Sequence, residues 1–210
     1  MVASVDGATA IDGVSGGLGG PADKRVFSAI RGVADVVLAG AGTVRAERYG
    51  PPRTPPSVQA ARLERGQAAK PRIAVVSRSL ELPLGTPLFS TPTDRPIVIT
   101  SGAADPDRRA DVAVVADIVE AGAVDVDLAV ALAELRGAGV GVVVGEGGPG
   151  INGQLVAAGL VDELCVTVSP RLVGGGSSRL AVGPDAAPTD LRLAHVLEED
   201  GLLFLRYVRT

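Results

Sequence analysis

The chain has 210 residues, a formal net charge of −4 and 46% hydrophobic residues, enough for one domain with a sizeable core. With two tyrosines, three phenylalanines and no tryptophan, it lacks the aromatics on which single-strand nucleic-acid binders stack bases, and its net acidity argues against a polyanion partner. Cys165 is the only cysteine and His195 the only histidine, which excludes an internal disulfide and a structural zinc site; no metal is expected, and a Ser-His-Asp triad would have to recruit His195 from a strand-like stretch.

Residues 1–5 read as the end of a strand, closed by a turn at Asp6-Gly7; the missing lead-in points to a longer natural start. Residues 12–20 are a glycine-rich loop. Pro21 opens a helix with Asp23 near its positive end, and Val26, Phe27, Ile30 and Val33 form its apolar face. Residues 35–40 are a continuous apolar run, hence a strand covered on both faces. It ends in a glycine turn, Gly40-Ala41-Gly42-Thr43, before a short helix over 44–47. The proline-rich stretch 49–56 cannot be regular, and 57–67 reads as a surface helix or an ordered excursion. Further strands are expected over 72–77, 96–100 and 111–115, and a helix over 126–135 with Leu128, Ala131, Leu132 and Leu135 on one face. Strand 140–145 runs into a helix over 151–158; a long strand follows over 162–172, then a hairpin of 191–198 and 202–208. The pattern predicts a single three-layer α/β domain over residues 1–210, with a mostly parallel central sheet and an antiparallel C-terminal hairpin. With no run of about eighteen apolar residues and no signal peptide, the chain is expected to be soluble and cytoplasmic, with no membrane partner.

In such sheets ligands bind outside the carboxyl ends of the strands. Four suspicious segments are expected there: Ser4-Val5-Asp6-Gly7, Gly40-Ala41-Gly42-Thr43, Ser77-Arg78, and Gly145-Glu146-Gly147-Gly148-Pro149-Gly150. Glycine turns let backbone N–H groups approach a diphosphate. Thr43 offers a hydroxyl to a phosphate, and the forked charge of Arg78 suits a 2′-phosphate, which favours NADP over NAD. An acid beside a phosphate site is repelled unless it faces something else, so Glu146 is read as pointing to a neighbouring substrate pocket. The usual dinucleotide fingerprint after the first strand is absent, which excludes the common dehydrogenase architecture.

These residues resemble a family. Ser4-Val5-Asp6-Gly7, Asp23 and Phe27, Ala34-Asp35, Gly40 to Glu47, Glu146-Gly147-Gly148, Gly159 to Leu164 and Ser169 to Gly175 recur in this order in the C-terminal reductase domain of riboflavin biosynthesis proteins, the 5-amino-6-(5-phosphoribosylamino)uracil reductases, which are similar in fold to dihydrofolate reductase. The resemblance implies NADPH as hydride donor, bound by Gly42, Thr43, Ser77, Arg78, Gly145, Gly147, Gly148 and Pro149. It implies a phosphoribosylamino-pyrimidine substrate facing Ser4 and Glu47, with Glu146 near its ribityl end. From the residues themselves, Asp6 is a further candidate on the substrate side or a turn residue, and Arg171 and Lys24 or Arg25 are candidates for the substrate phosphate. Glu47 and Glu146 are the candidates to manage the proton that accompanies hydride transfer. A homodimer is expected by the same analogy, with Leu164, Val166, Val168 and residues 202–205 as a surface.

Two departures stand out. The zinc deaminase motifs carried by bifunctional relatives are absent, so only the reductive step is expected. The family's Ala-Asp-Asp-Pro appears here as Ala46-Glu47-Arg48-Tyr49-Gly50-Pro51, which opens the question of a related pterin or pyrimidine. Dihydrofolate reduction and a nucleotide-binding module without turnover are the alternatives.

Overall fold

The computed structural model describes residues 1–210, the side chain of Pro92 excepted. In chain order the elements are β1 (Val2–Ser4), α1 (Pro21–Arg31), β2 (Val36–Gly40), α2 (Ala41–Ala46), α3 (Pro56–Glu64), β3 (Arg72–Val76), α4 (Pro87–Ser90), β4 (Ile97–Thr100), α5 (Pro106–Val115), β5 (Asp117–Glu120), α6 (Leu128–Gly137), β6 (Val143–Gly145), α7 (Pro149–Ala157), β7 (Glu163–Ser169), β8 (Leu191–Glu199) and β9 (Leu202–Arg209). Backbone contacts gather into two compact units: Ile30–Glu146, and Met1–Ala29 together with Gly147–Thr210.

The first unit carries a five-stranded sheet in the order β5-β4-β3-β2-β6, every pair parallel. All five residues of β2 are buried, as expected of an apolar run covered on both faces. Val37, Ala39, Ile73, Val75 and Val98 form one face of the core with Leu80, Leu88, Phe89 and Val112. From β2 the chain adds β3, β4 and β5 in succession on one side, then returns to place β6 on the other. The strand order therefore reverses between β2 and β6, and ligands of open α/β sheets bind at such a reversal.

The second unit is a four-stranded sheet, β1-β7-β9-β8. β1 pairs with β7 in parallel, and the other ladders are antiparallel. Ala22 and Val26 of α1 pack on Leu202 and Phe204. β8 and β9 meet at Asp200-Gly201, both at positive φ (56° and 76°), the conformation a tight two-residue hairpin turn requires.

The α/β class, the parallel sheet and the antiparallel C-terminal strands match the expectation. Several details differ. Residues 111–115 lie in α5, not in a strand: Asp105 caps that helix by accepting from Arg108 N at 2.9 Å, and Val112 turns inward. The strand comes later, as β5. The glycine turn after β2 does not exist as such, because the helix starts at Ala41 and Val44 anchors it in the core. β6 begins only at Val143, since the N–H groups of Gly141 and Val142 donate to Asp35 Oδ2 (2.9 and 2.8 Å). β7 stops at Ser169, before Pro170, which has no N–H to give a ladder. Val33 lies beyond the end of α1 and is exposed. β1 belongs to the mixed sheet, so only three of the four suspicious segments follow strands of the five-stranded sheet.

Candidate functional site

The reversal between β2 and β6 brings two short connections side by side. Gly40 ends β2 and leads directly into α2, while Gly145 ends β6, with Glu146 N donating to Leu38 O at 2.8 Å. Gly42, in the first turn of α2, has an ordinary helical φ, and a Cβ built on it meets nothing within 4 Å. Neither crowding nor backbone conformation calls for glycine there. Open space over a bare backbone is what the close approach of a ligand needs. Thr43 follows half-buried in the same turn, and Glu47 closes α2, its N–H donating to Thr43 O at 2.9 Å.

Glu146 is heavily engaged by other side chains of this unit. Its side chain is only 4% exposed. Arg31 grips it with two parallel bonds, Nε to Oε1 at 2.7 Å and Nη2 to Oε2 at 2.6 Å, and the Tyr49 hydroxyl donates to Oε2 as well. The Arg31 guanidinium lies 5.4 Å from the centre of the Tyr49 ring, within cation–π range. Burial, and then the carboxylate beside it, push the Tyr49 hydroxyl far above its ordinary pKa, so it stays a donor. Burial works against the charge of Arg31, but its bonds to Glu146 outweigh this and raise its pKa. Arg31 and Tyr49 did not figure among the expected site residues. Tyr49 could have been found, because it sits in the stretch where the chain departs from the family's Ala-Asp-Asp-Pro. Arg31 gives no such signal, being 115 positions from its partner.

Ser77 and Arg78 follow β3. Ser77 is buried, its N–H donating to Ile99 O and its Oγ accepting from Leu80 N at 3.1 Å. Arg78 is exposed and paired with exposed Asp125 at 2.8 Å. A pair of this kind contributes about 0–1 kcal/mol, so the guanidinium is readily exchanged onto a phosphate. At the end of β4, Thr100 Oγ1 is buried without a hydrogen-bond partner among the described residues.

Six further expected residues lie in the other unit. Ser4 Oγ donates to Asp6 Oδ1 and accepts from Ala8 N at 2.8 Å. Asp6 also accepts from Val173 N and, at 2.7 Å, from Gly174 N. The Ser4 hydroxyl and these N–H groups pull its pKa down to about 2. Ser4 and Asp6 are thus joined as a staple between the β1 turn and the loop after β7. The guanidinium-bearing residue of that loop, Arg171, is exposed, and its carbonyl accepts from Val5 N. Gly147 adopts φ +94°, Gly148 caps α7, and Pro149 opens it as its first residue.

A family model described as the RibD C-terminal domain matches residues 1–201. The chain belongs to this family. Among its relatives is the 2,5-diamino-6-ribosylamino-4(3H)-pyrimidinone 5′-phosphate reductase of Methanothermobacter thermautotrophicus, 31% identical over 94% of this chain and 91% of that protein. The protein of the same name from Archaeoglobus fulgidus is 27% identical over 74% and 71% of the two chains. Among solved structures, a pyrimidine reductase-like protein from Corynebacterium diphtheriae superposes over 100% of this chain and 89% of its own, with a TM-score of 0.91 and 28% identity. The RibD match runs through both compact units. Among the described residues no helix is long and apolar enough to cross a membrane.

Proposed function

We propose that this chain is the reductase of the riboflavin pathway and acts as one catalytic domain. It reduces the ribosyl group of 5-amino-6-(5-phosphoribosylamino)uracil, or of the 2-amino pyrimidinone named for its archaeal relatives, to the ribitylamino product with NADPH. The reading rests above all on the glycine-bearing connections at the sheet's strand reversal, in a chain that the RibD family model covers over residues 1–201.

The cofactor would supply a hydride from its nicotinamide C4. Gly42 and Thr43 face its phosphates, with Gly145 at the end of the neighbouring strand. The open face of Gly42 and the unpartnered hydroxyl of Thr100 fit a ligand at this rim. Arg78 exchanges Asp125 for the 2′-phosphate, which selects NADPH over NADH. The reaction breaks the C1′–O4′ bond, forms a C1′–H bond with the incoming hydride, and consumes one proton at O4′. Glu47 is the group assigned to that proton. Hydride transfer otherwise asks for alignment and exclusion of water.

Purified protein should oxidise NADPH with either phosphoribosylamino-pyrimidine, and the ratio of the two kcat/KM values identifies the physiological one. Turnover with dihydrofolate alone would overturn the assignment in favour of a pterin reductase. Arg78→Ala should lower the preference for NADPH over NADH by about 10- to 100-fold, the worth of a charge-assisted bond; an unchanged preference would remove Arg78 from the cofactor site.

The second compact unit supports a homodimer. Strand register places Val166, Leu205 and Val196 in one row and Leu164, Tyr207 and Leu193 in another, on the sheet face opposite Phe204 and Thr167. Val196 is 51% exposed and Leu193 45%. A contiguous apolar face of this kind is covered by a partner. Val196→Lys should yield monomers in sedimentation; a monomeric wild type would refute the proposal.

A further inference from the structure

The Glu146 carboxylate has been treated as one of two acids able to move the proton, and its partners speak against that. A carboxylate oxygen offers two lone pairs in the plane of the group. Oε2 accepts from both Arg31 Nη2 and Tyr49 Oη, whereas Oε1 accepts only from Arg31 Nε. The bidentate fork fixes the plane of the carboxylate, and the tyrosine hydroxyl removes its remaining choice of which oxygen is open. All three side chains sit beside the β2–β6 reversal, on three separate segments: the end of α1, the stretch after α2 and the residue after β6.

We infer that Arg31 and Tyr49 are positioning residues that hold Glu146 as a pure acceptor, with one open lone pair on Oε1 left for a hydroxyl or N–H donor of the substrate. This rests on the function proposed above. The positive fork also offsets the repulsion between an acid and a nearby diphosphate, which explains why a glutamate is tolerated next to a phosphate-binding glycine segment. The sugar hydroxyls and the amino and ring N–H groups of the pyrimidine all present donors to such an acceptor; the diphosphate presents none. Tyr49 thereby becomes a specificity residue in the stretch where this chain departs from its family. The proton delivered to O4′ then comes from elsewhere, and Glu47 alone of the two acids is left to handle it.

The experiment compares wild type, Tyr49→Phe and Glu146→Gln in steady-state turnover of the phosphoribosylamino-pyrimidines, alongside fluorescence titration with NADPH and thermal melting. Tyr49→Phe deletes one hydroxyl and should raise KM for the pyrimidine by roughly tenfold, with the NADPH Kd unchanged. Glu146→Gln keeps a carbonyl acceptor but cannot carry a proton, and should lose about 10- to 100-fold in kcat/KM, mainly through KM. Loss of about a thousandfold in kcat at unchanged KM in Glu146→Gln would mark a proton-transfer role and overturn the inference. So would wild-type constants in Tyr49→Phe, or an effect confined to the NADPH Kd. A wild type inactive on both pyrimidines sinks the functional reading first and the inference with it; an active wild type with an unaffected Tyr49→Phe sinks the inference alone.

Discussion

The two ends of the five-stranded sheet use their polar groups in opposite ways. At the amino end, the buried groups turn mostly to the backbone, with Nη2 of Arg62 left without a partner among the described residues. Arg62 is fully buried, with Nε donating to Ala68 O at 2.8 Å and Nη1 to the carbonyls of Gly32 and Ala34. Arg65 adds a bond to Gly32 O and Gln67 one to Val33 O, while Asp35 gathers the N–H groups of Gly141 and Val142. The carbonyls of Gly32 and Ala34, just past the end of α1, are thus satisfied by guanidinium groups, and that of Val33 by the Gln67 amide. At the carboxyl end, Arg78 is lightly held, Thr100 keeps a spare hydroxyl, and Gly42 faces open space. Arg31 and Arg62 make the contrast sharpest, since they flank the same junction: one holds a carboxylate, the other holds only carbonyls. A buried arginine is therefore no pointer to chemistry by itself; its partners decide.

The largest effect that tests this contrast is on stability. Arg62→Met should lower the unfolding free energy by about 3 kcal/mol, because it leaves buried carbonyls unpaired, while kcat and the NADPH Kd of the folded protein stay at wild-type values. Urea denaturation and steady-state assays check it, and a cofactor effect without a stability effect would erase the distinction between the two ends. Gly42→Ala should act with the opposite sign. It should stabilise the fold by roughly 0.5–1 kcal/mol, as alanine does in a helix, and weaken NADPH binding about tenfold as the methyl group enters the ligand's space. Unaltered NADPH affinity would show that the open face is ordinary surface.

The smallest effect comes from the mixed sheet, where the Ser4–Asp6 staple joins a buried hydroxyl to an exposed carboxylate. Asp6 has its pKa depressed from 3.8 to about 2 on folding. Its contribution is present above pH 4 and is lost as the pH falls through about 2. Wild type should therefore melt slightly above Asp6→Asn at pH 6, and the two melting curves should converge near pH 2. A constant difference across that window would show that the carboxylate charge is not what the staple uses.

Much of this architecture was legible because the central strands announce themselves. The apolar runs of β2, β3 and β4 need no alternation to be seen, since both of their faces are buried. β5 was missed for the converse reason: it is a sheet edge with an exposed residue at each end, and the valine-rich turns of α5 just before it imitate a strand. The strand leading into Gly145 was legible, whereas the glycine turn read after β2 is the first turn of α2. The partners of Glu146 were not legible, because Arg31 and Tyr49 lie 115 and 97 positions away and meet it only through the fold. The same holds for Ser4, whose hydroxyl is taken up by the backbone of its own turn and by Asp6, which spacing alone cannot reveal.

The compact unit that bears the strand reversal is one uninterrupted stretch of chain, Ile30–Glu146, whereas its counterpart is assembled from both termini. On a ribosome these two have different histories. Every ladder of the parallel sheet becomes available once Glu146 has emerged, so this unit is free to fold while translation continues. β1, made first, must wait for β7 to be synthesised before its backbone finds a neighbour, and the mixed sheet is the last part of the molecule to close.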